Sequence, residues 1–451
     1  VNTNARYNNY LLSVLLVVLA FNWLDRFALG LMLQDIKVDL HLSDTQLGLI
    51  TGIAFAVFYS MMGIPIARWA DRGNRVTIIW FTTALWSVAV SLCGLVNNFV
   101  QLLLMRMAVG VGEAGAVPPA QSLIADHFPR AERPRATAIY ALGAPSSMLF
   151  GYFLAGWLNE LYGWRLTFIL LGLPGLALAA LARFTLRERR RARSRAEASK
   201  LCIRTAPSAP EPDAAPSAQL SFGDVCWTLW ANSTFRHLLI GFSISHLFVY
   251  GIQQWQPAFF VRSFGLQTGE LGTWLAVIVG LSGLLGTYAG GHWATRHPCN
   301  ERLHLKAAGV LYAVLGVISP FIYLAPSPYL AFGLLAVVSL GYFATFGPMA
   351  AVVQTLVPDR MRATTFALMY FCNNLIGMGM GPLAVGALSD ALYPWLGDES
   401  LRYGLLALSP GYFCVTWYLW QASRTVARDI DDVNMAAPVA QGAMKPGCEA
   451  I

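Results

Sequence analysis

The sequence predicts an all-α membrane protein: twelve transmembrane helices arranged as two pseudo-symmetric six-helix bundles. Three observations carry that prediction. The chain is 56% hydrophobic and only 12% charged over 451 residues, against about 25% charged in an ordinary soluble domain. Apolar runs of roughly 20 residues, enough to cross a hydrocarbon layer about 30 Å thick as helix, recur along its length. The two halves of the chain also resemble each other at a fixed offset, the mark of internal duplication.

Twelve apolar runs are read, at residues 10-33, 46-67, 76-96, 99-120, 136-158, 165-186, 237-261, 271-294, 303-325, 329-356, 362-388 and 401-423; they are called spans 1 to 12 below. The first is followed by no small-residue cleavage site and is too long for a signal-peptide core, so it is expected to stay as a permanent span. The net charge of +7 raises nucleic acid as a partner, and the placement of the basic residues argues against it. Arginines crowd the loops after spans 2, 4, 6, 8, 10 and 12, whereas the alternate loops hold only Lys37, Arg165, Arg262 and Arg402. By the positive-inside rule both termini and the central loop are cytoplasmic, as expected of a multi-pass protein of the cell membrane; Val1, read as a GTG start codon translated literally, points to a bacterial inner membrane. The seven cysteines are scattered, with no CxxC and no ligand-like histidine spacing, so no metal, haem or disulfide framework is expected.

Between the halves, residues 187-236 break the apolar pattern with RERRRARSRAEASK and then APSAPEPDAAPSA, a linker composition. The expected organisation is therefore an N-terminal bundle at 1-186, a cytoplasmic linker at 187-236, a C-terminal bundle at 237-423 and a cytoplasmic tail at 424-451. The duplication is visible locally. Trp69-Ala70-Asp71-Arg72 after span 2 corresponds to Trp293-Ala294-Thr295-Arg296 after span 8, and Arg135-Ala136-Thr137 to Arg362-Ala363-Thr364. Parallel repeats of this kind place a binding site near the midplane, between the halves.

Buried charge is the strongest functional signal, because an ionised side chain at the bilayer centre costs at least about 2.5–3.5 kcal/mol on insertion scales. Span 1 carries Asn22-Trp23-Leu24-Asp25-Arg26-Phe27, and span 4 carries Arg106 and Glu113 two turns apart on one face. Spans 1 and 4 run in opposite directions, which sets Asp25 and Arg106 at similar height and Glu113 about 10 Å nearer the cytoplasm. Asp25 is thus expected to pair with Arg106, leaving Glu113 freer to protonate, since desolvation raises a carboxylate pKa and a nearby arginine lowers it. Asp25 and Glu113 are the candidates for proton coupling, with Arg26 and Arg106 as counter-ions or anchors for an anionic group; the competing reading is a structural charge cluster that fixes helix register. In the second half, Asn22's counterparts as cavity-lining candidates are His246, Tyr250, Gln253 and Gln254 of span 7 and Tyr370, Asn373 and Asn374 of span 11. Helix-to-helix hydrogen bonds are the alternative explanation for these polar groups.

The loop Ala67-Arg68-Trp69-Ala70-Asp71-Arg72-Gly73-Asn74-Arg75 resembles the GxxxDRxGR signature of the major facilitator superfamily, with Ala67 and Asn74 departing from its glycines. Asp71, Arg72 and Arg75 are read as a cytoplasmic gate motif, Asp71 meeting the positive N-terminal end of span 11. The segments NWLDRF, WADRGNR, RMAVGVGEAG and PPAQSLIADHFP together resemble the Spinster-like branch, most strongly over residues 20-165. That resemblance implies the major facilitator fold and a proton-coupled secondary transporter, working as a monomer by alternating access on an amphipathic lysolipid-like or sphingoid-phosphate-like solute. Two rivals are a proton symporter of a small organic anion and a non-transporting receptor on the same fold. With no nucleophile elbow, phosphate loop or metal-ligand spacing, neither an enzyme nor a cofactor is expected. The expected partners are the lipid bilayer, the solute and protons.

Overall fold

The computed structural model describes residues 2–129, 132–188, 227, 229–297, 300–357 and 362–436. Among them no strand occurs, and ten helical segments are long and apolar enough to cross a membrane. Two of the ten are double length, Arg135–Thr185 with 51 residues and Leu368–Asp431 with 64, whereas about 20 residues suffice for one passage. Each of these doubles back. Along the first, Gly143 packs on Leu16, Gly151 on Leu24, and Asn159 bonds Asp35 at 2.5 Å; then Arg165 pairs with Asp39 at 2.8 Å, and Thr185 accepts from Tyr10 at 2.8 Å. The reversal falls at Gly163, whose φ of 76° and ψ of 164° lie in a region essentially reserved for glycine. In the second, Gly377 packs on His246 and Gly381 on Gly251, after which Gly411 packs on Phe248 and Thr425 bonds Thr234 at 2.6 Å. Gly397, at φ 54°, makes that turn.

Helix starts follow the chemistry of the cap. Asn74, Asn98, Asn232, Asn300 and Ser327 each accept an otherwise unpaired N–H of the first turn, opening spans 3, 4, 7, 9 and 10. Ser43 and Gln46 form a reciprocal capping box at the start of span 2. The helices overrun the apolar runs that announce them: the first is Asn2–Leu40 against an expected 10-33, because hydropathy marks only the hydrocarbon-length middle of a helix.

Two expected boundaries move. The linker was read to residue 236, yet the helix Ser233–Phe264 begins inside it; of the rest, residues 189–226 and 228 lie outside the described residues. The tail was read from 424, yet the last helix runs Gly411–Ala436, with residues 437–451 outside the described residues. The extension is held by Asp429, which is 3% exposed and accepts the Thr234 N–H at 2.7 Å. That bond places the last described helix against the first turn of span 7.

The starts of spans 1 and 7 and the ends of spans 6 and 12 share one face, here the terminal face. On the opposite, far face the two halves meet along two seams. Span 2 runs against span 11, where a Cβ on Gly48 would stand 2.6 Å from the Pro382 carbonyl and one on Gly52 2.3 Å from that of Gly379. Span 5 runs against span 8, where a Cβ on Gly156 would stand 2.5 Å from the Thr268 carbonyl and one on Gly272 2.4 Å from that of Tyr152. Only hydrogen at these positions lets the backbones come so near.

Candidate functional site

Beneath those seams lies a cavity between the halves. Its N-terminal wall is Trp23, Arg26, Phe27, Gly30, Thr51, Phe55, Arg106 and Tyr152, and its C-terminal wall is Tyr250, Gln253, Gln254, Met378 and Pro382. All of the charge is on the first wall. The second offers hydroxyl, amide and thioether groups.

The buried charges of spans 1 and 4 form two ion pairs in one cluster. Arg106 Nη1 donates to Asp25 Oδ2 at 2.8 Å, as the helix depths predict, with Arg106 1% and Asp25 3% exposed. Glu113 has a partner that the helix depths do not foresee: it is fully buried and accepts from Arg26 at Oε2 twice, from Nε at 2.9 Å and from Nη2 at 2.5 Å. The reason is reach: an arginine side chain spans most of the separation that the helical rise puts between Arg26 and Glu113, a length that backbone depth does not count. Asn22 completes the cluster by donating to the Glu113 carbonyl at 3.3 Å.

The Arg26 guanidinium is also walled by rings, with centroids of Trp23, Phe55 and Tyr59 at 4.4, 4.6 and 5.0 Å. Such faces attract a cation without binding its N–H groups. Its Nη1 meets the Met378 sulfur at 3.6 Å, a weak acceptor on the opposing half. Across the cavity the Gln254 Nε2 is buried with no hydrogen-bond partner among the described residues. It lies 3.2 Å from where a Cβ on Gly30 would stand. Donor capacity from both halves therefore faces one space.

The remaining candidates divide. Tyr250, Gln253 and Gln254 line the cavity. His246 Nδ1 donates to the Phe242 carbonyl at 2.8 Å, a bond within its own helix. Asn373 accepts from Ser243 at 3.3 Å, joining span 11 to span 7. Tyr370 is 64% exposed, and neither it nor Asn374 encloses the cavity. Met378 was missed because nothing in the pattern announces a π-helix, yet span 11 is one over Asn373–Met380. The wider π turn presents side chains in a register that 3.6-residue periodicity does not foresee, and such turns recur at functional sites.

Of the gate motif, the Asp71 side chain lies outside the described residues, so its contact with span 11 is not described, and Arg72 is exposed. Arg75 turns inward within its own half. It is 2% exposed, donating to the Ser122 carbonyl at 3.1 Å, to Ser122 Oγ at 2.8 Å, to Asp126 at 2.6 Å and to Glu188. It therefore ties the end of span 6 to spans 3 and 4.

A second charged cluster, at the far face, joins the halves and was not foreseen as a unit. Arg262 of span 7 donates to both oxygens of Asp44 at 2.7 Å and to Gln34 at 2.6 Å. Lys37 and Ser389 also donate to Asp44 at 2.7 Å. Lys37 and Arg262 had stood out only as charges in the sparsely basic loops.

Two helical halves that meet over an enclosed cavity, with paired charge on one wall, define the class: a polytopic membrane transporter. The family follows from comparison, since a model of the Major Facilitator Superfamily matches residues 15–425 and the chain belongs to that superfamily. It is similar to an MFS-type efflux pump of Mycolicibacterium smegmatis, 30% identical over 432 residues and covering 93% of each chain. It is also similar to protein spinster homolog 1 of Xenopus tropicalis, 27% identical over 90% of this chain and 81% of that one. Among solved structures, a bacterial homolog of the human lysosomal transporter Spinster, inward-facing and unoccupied, superposes with a TM-score of 0.81 at 27% identity, over 94% of this chain and 98% of the other. The Spinster-like character carried by the motifs of residues 20-165 thus extends over nearly the whole chain.

Proposed function

We propose that the protein is a proton-coupled carrier of an amphipathic solute with an anionic end, moved by alternating access across twelve membrane passages, with both termini in the cytoplasm. The observation that supports this most is the asymmetry of the cavity. Arg26 brings a cation to one wall, Gln254 an unpaired donor to the other, and aromatic and thioether groups surround both. A lysolipid-like molecule with a phosphate or carboxylate end matches such walls, whereas a small sugar acid gains nothing from the apolar ones.

Coupling follows from shared use of Arg26. In the ion pair its charge is spent on Glu113. A proton taken up by Glu113 releases the guanidinium to an anionic substrate, and bound substrate in turn favours that proton, because linkage is reciprocal. Arg26 is held near its place by the three rings, so the exchange of partners needs little movement. Asp25 and Arg106 act behind it, their pair fixing span 1 on span 4 while Asp25 supplies a second carboxylate to the cluster.

The test is uptake into proteoliposomes under an imposed pH gradient, with an oleoyl lysophosphatidate, its uncharged monoacylglycerol counterpart and galacturonate as substrates. The expected result is proton-driven uptake of the lysophosphatidate alone, with loss of the proton dependence in Glu113→Gln and of uptake in Arg26→Gln. Uptake of galacturonate alone establishes the small-anion reading instead. Full proton-driven uptake by both Asp25→Asn and Glu113→Gln removes the coupling role of these carboxylates.

A further inference from the structure

The far face carries, besides the Asp44–Arg262 ion pair, a second device made of two carboxylates and two helix starts. Asp390, at the end of span 11 in the C-terminal half, reaches into the N-terminal half. Its Oδ1 accepts the Asp44 N–H at 3.0 Å, and its Oδ2 accepts the Thr45 N–H at 2.7 Å and the Thr45 hydroxyl at 2.6 Å. Those are the first residues of the helix Asp44–Thr51, which opens span 2. Glu160, at the end of span 5 in the N-terminal half, reaches the other way. Its Oε2 accepts the Gly269 N–H at 2.7 Å, in the first turn of the helix Thr268–Arg296 that forms span 8.

Spans 5 and 11 occupy corresponding places in the two repeats, as do spans 2 and 8. Each half therefore gives one carboxylate and receives one, and each bond closes the outer end of one glycine seam. Glycines make room at both caps, at one for the carboxylate and at the other for the backbone of the helix it caps. A Cβ on Gly269 would lie 2.6 Å from Glu160 Oε2, and one on Gly386 would lie 2.2 Å from the Asp44 carbonyl. Beside the second cap, Asn159 donates to Thr268 Oγ1 at 3.2 Å, and Thr268 donates to the Gly156 carbonyl at 3.2 Å.

A helix start holds unpaired N–H groups and the positive end of the macrodipole, so a carboxylate there serves as cap and counter-charge together. Within one helix such a cap is a matter of stability. Here each cap and its helix belong to different halves, so the bond exists only while the halves are together at this face. We infer that Asp390 and Glu160 are positioning residues of the transport cycle, a reciprocal pair of latches that set how readily the far face opens. The inference rests on the alternating-access reading above.

Hydrogen–deuterium exchange on the purified full-length chain tests it, with Asp390→Asn and Glu160→Gln as separate variants. Alternating access requires that in the unmodified chain residues 44–52 and 268–276 exchange faster than residues 102–110, which are packed within one half; equal protection of the three overturns the alternating-access reading itself. Given that difference, each single variant is expected to raise exchange about tenfold at both seams, the scale of one lost cap, leaving residues 102–110 and the melting temperature unchanged. The decisive readout is the seam the substituted residue does not touch. A rise confined to the helix that lost its cap, 44–52 for Asp390→Asn and 268–276 for Glu160→Gln, reduces each carboxylate to a local cap and overturns the latch. Glu160 is exposed, so its variant answers the question even where Asp390→Asn fails to fold.

Discussion

The Asp25–Arg106 and Arg26–Glu113 pairs join helices of one half; the Asp44–Arg262 pair joins one half to the other. All three are short, 2.8, 2.5 and 2.7 Å, and each has a buried carboxylate, yet mechanically they differ in kind. A pair inside one half can outlast every rocking of that half, and where neither proton nor substrate competes for it, as at Asp25–Arg106, its cost in desolvation is met once, at folding. Under the proposed alternating access, a pair between halves must be remade on every turnover. Strength in the first kind goes into architecture, whereas strength in the second sets a barrier to opening.

Three substitutions press on that difference. The largest expected effect is on the pair that never opens: Arg106→Gln leaves the Asp25 carboxylate buried without its partner, a loss of roughly 3–5 kcal/mol. It is read as a marked fall in melting temperature in detergent. Adding Asp25→Asn to that variant is expected to recover much of the loss, and a double variant no more stable than the single one removes the pair from the architecture. Next comes Asp44→Asn, which weakens the hold of Arg262 and Lys37 by about 1.5–3 kcal/mol. Here the melting temperature should change little while exchange at residues 44–52 rises; the reverse outcome makes this pair structural too. The smallest is Gly163→Ala. Its backbone conformation strains a Cβ by about 1–2 kcal/mol, which is expected to lower the melting temperature slightly and leave the far-face exchange as it was.

Much of the fold was legible because a bilayer writes directly into composition: runs of apolar residues, arginine-rich alternate loops and two copies of a motif. The Asp25–Arg106 pair was legible for a related reason, since helix rise converts sequence position into depth. What sequence position does not convert is side-chain length, and Arg26 took Glu113 by reaching along the axis. The far-face cluster was hidden by sequence distance, as Asp44, Arg262 and Asp390 come from three separate spans and meet only when the halves dock. The π turn that brings Met378 to the cavity was hidden because its residues, NNLIGMGM, fit an ordinary helix equally well. Arg75 shows the converse: a motif recognised correctly as a loop signature, whose described contacts all lie within its own half.

The glycine seams carry one more consequence, in the chemistry of the surface they leave behind. Where large apolar side chains interlock, parting them wets hydrocarbon at about 25 cal/mol for each Å². At the closest approaches of these seams glycine hydrogens rest on the carbonyls of Gly379, Pro382, Thr268 and Tyr152. Opening there uncovers peptide oxygens, which water solvates readily. In the proposed cycle the far face is thus tight when shut and nearly neutral toward solvent when open, a surface suited to repeated wetting and drying.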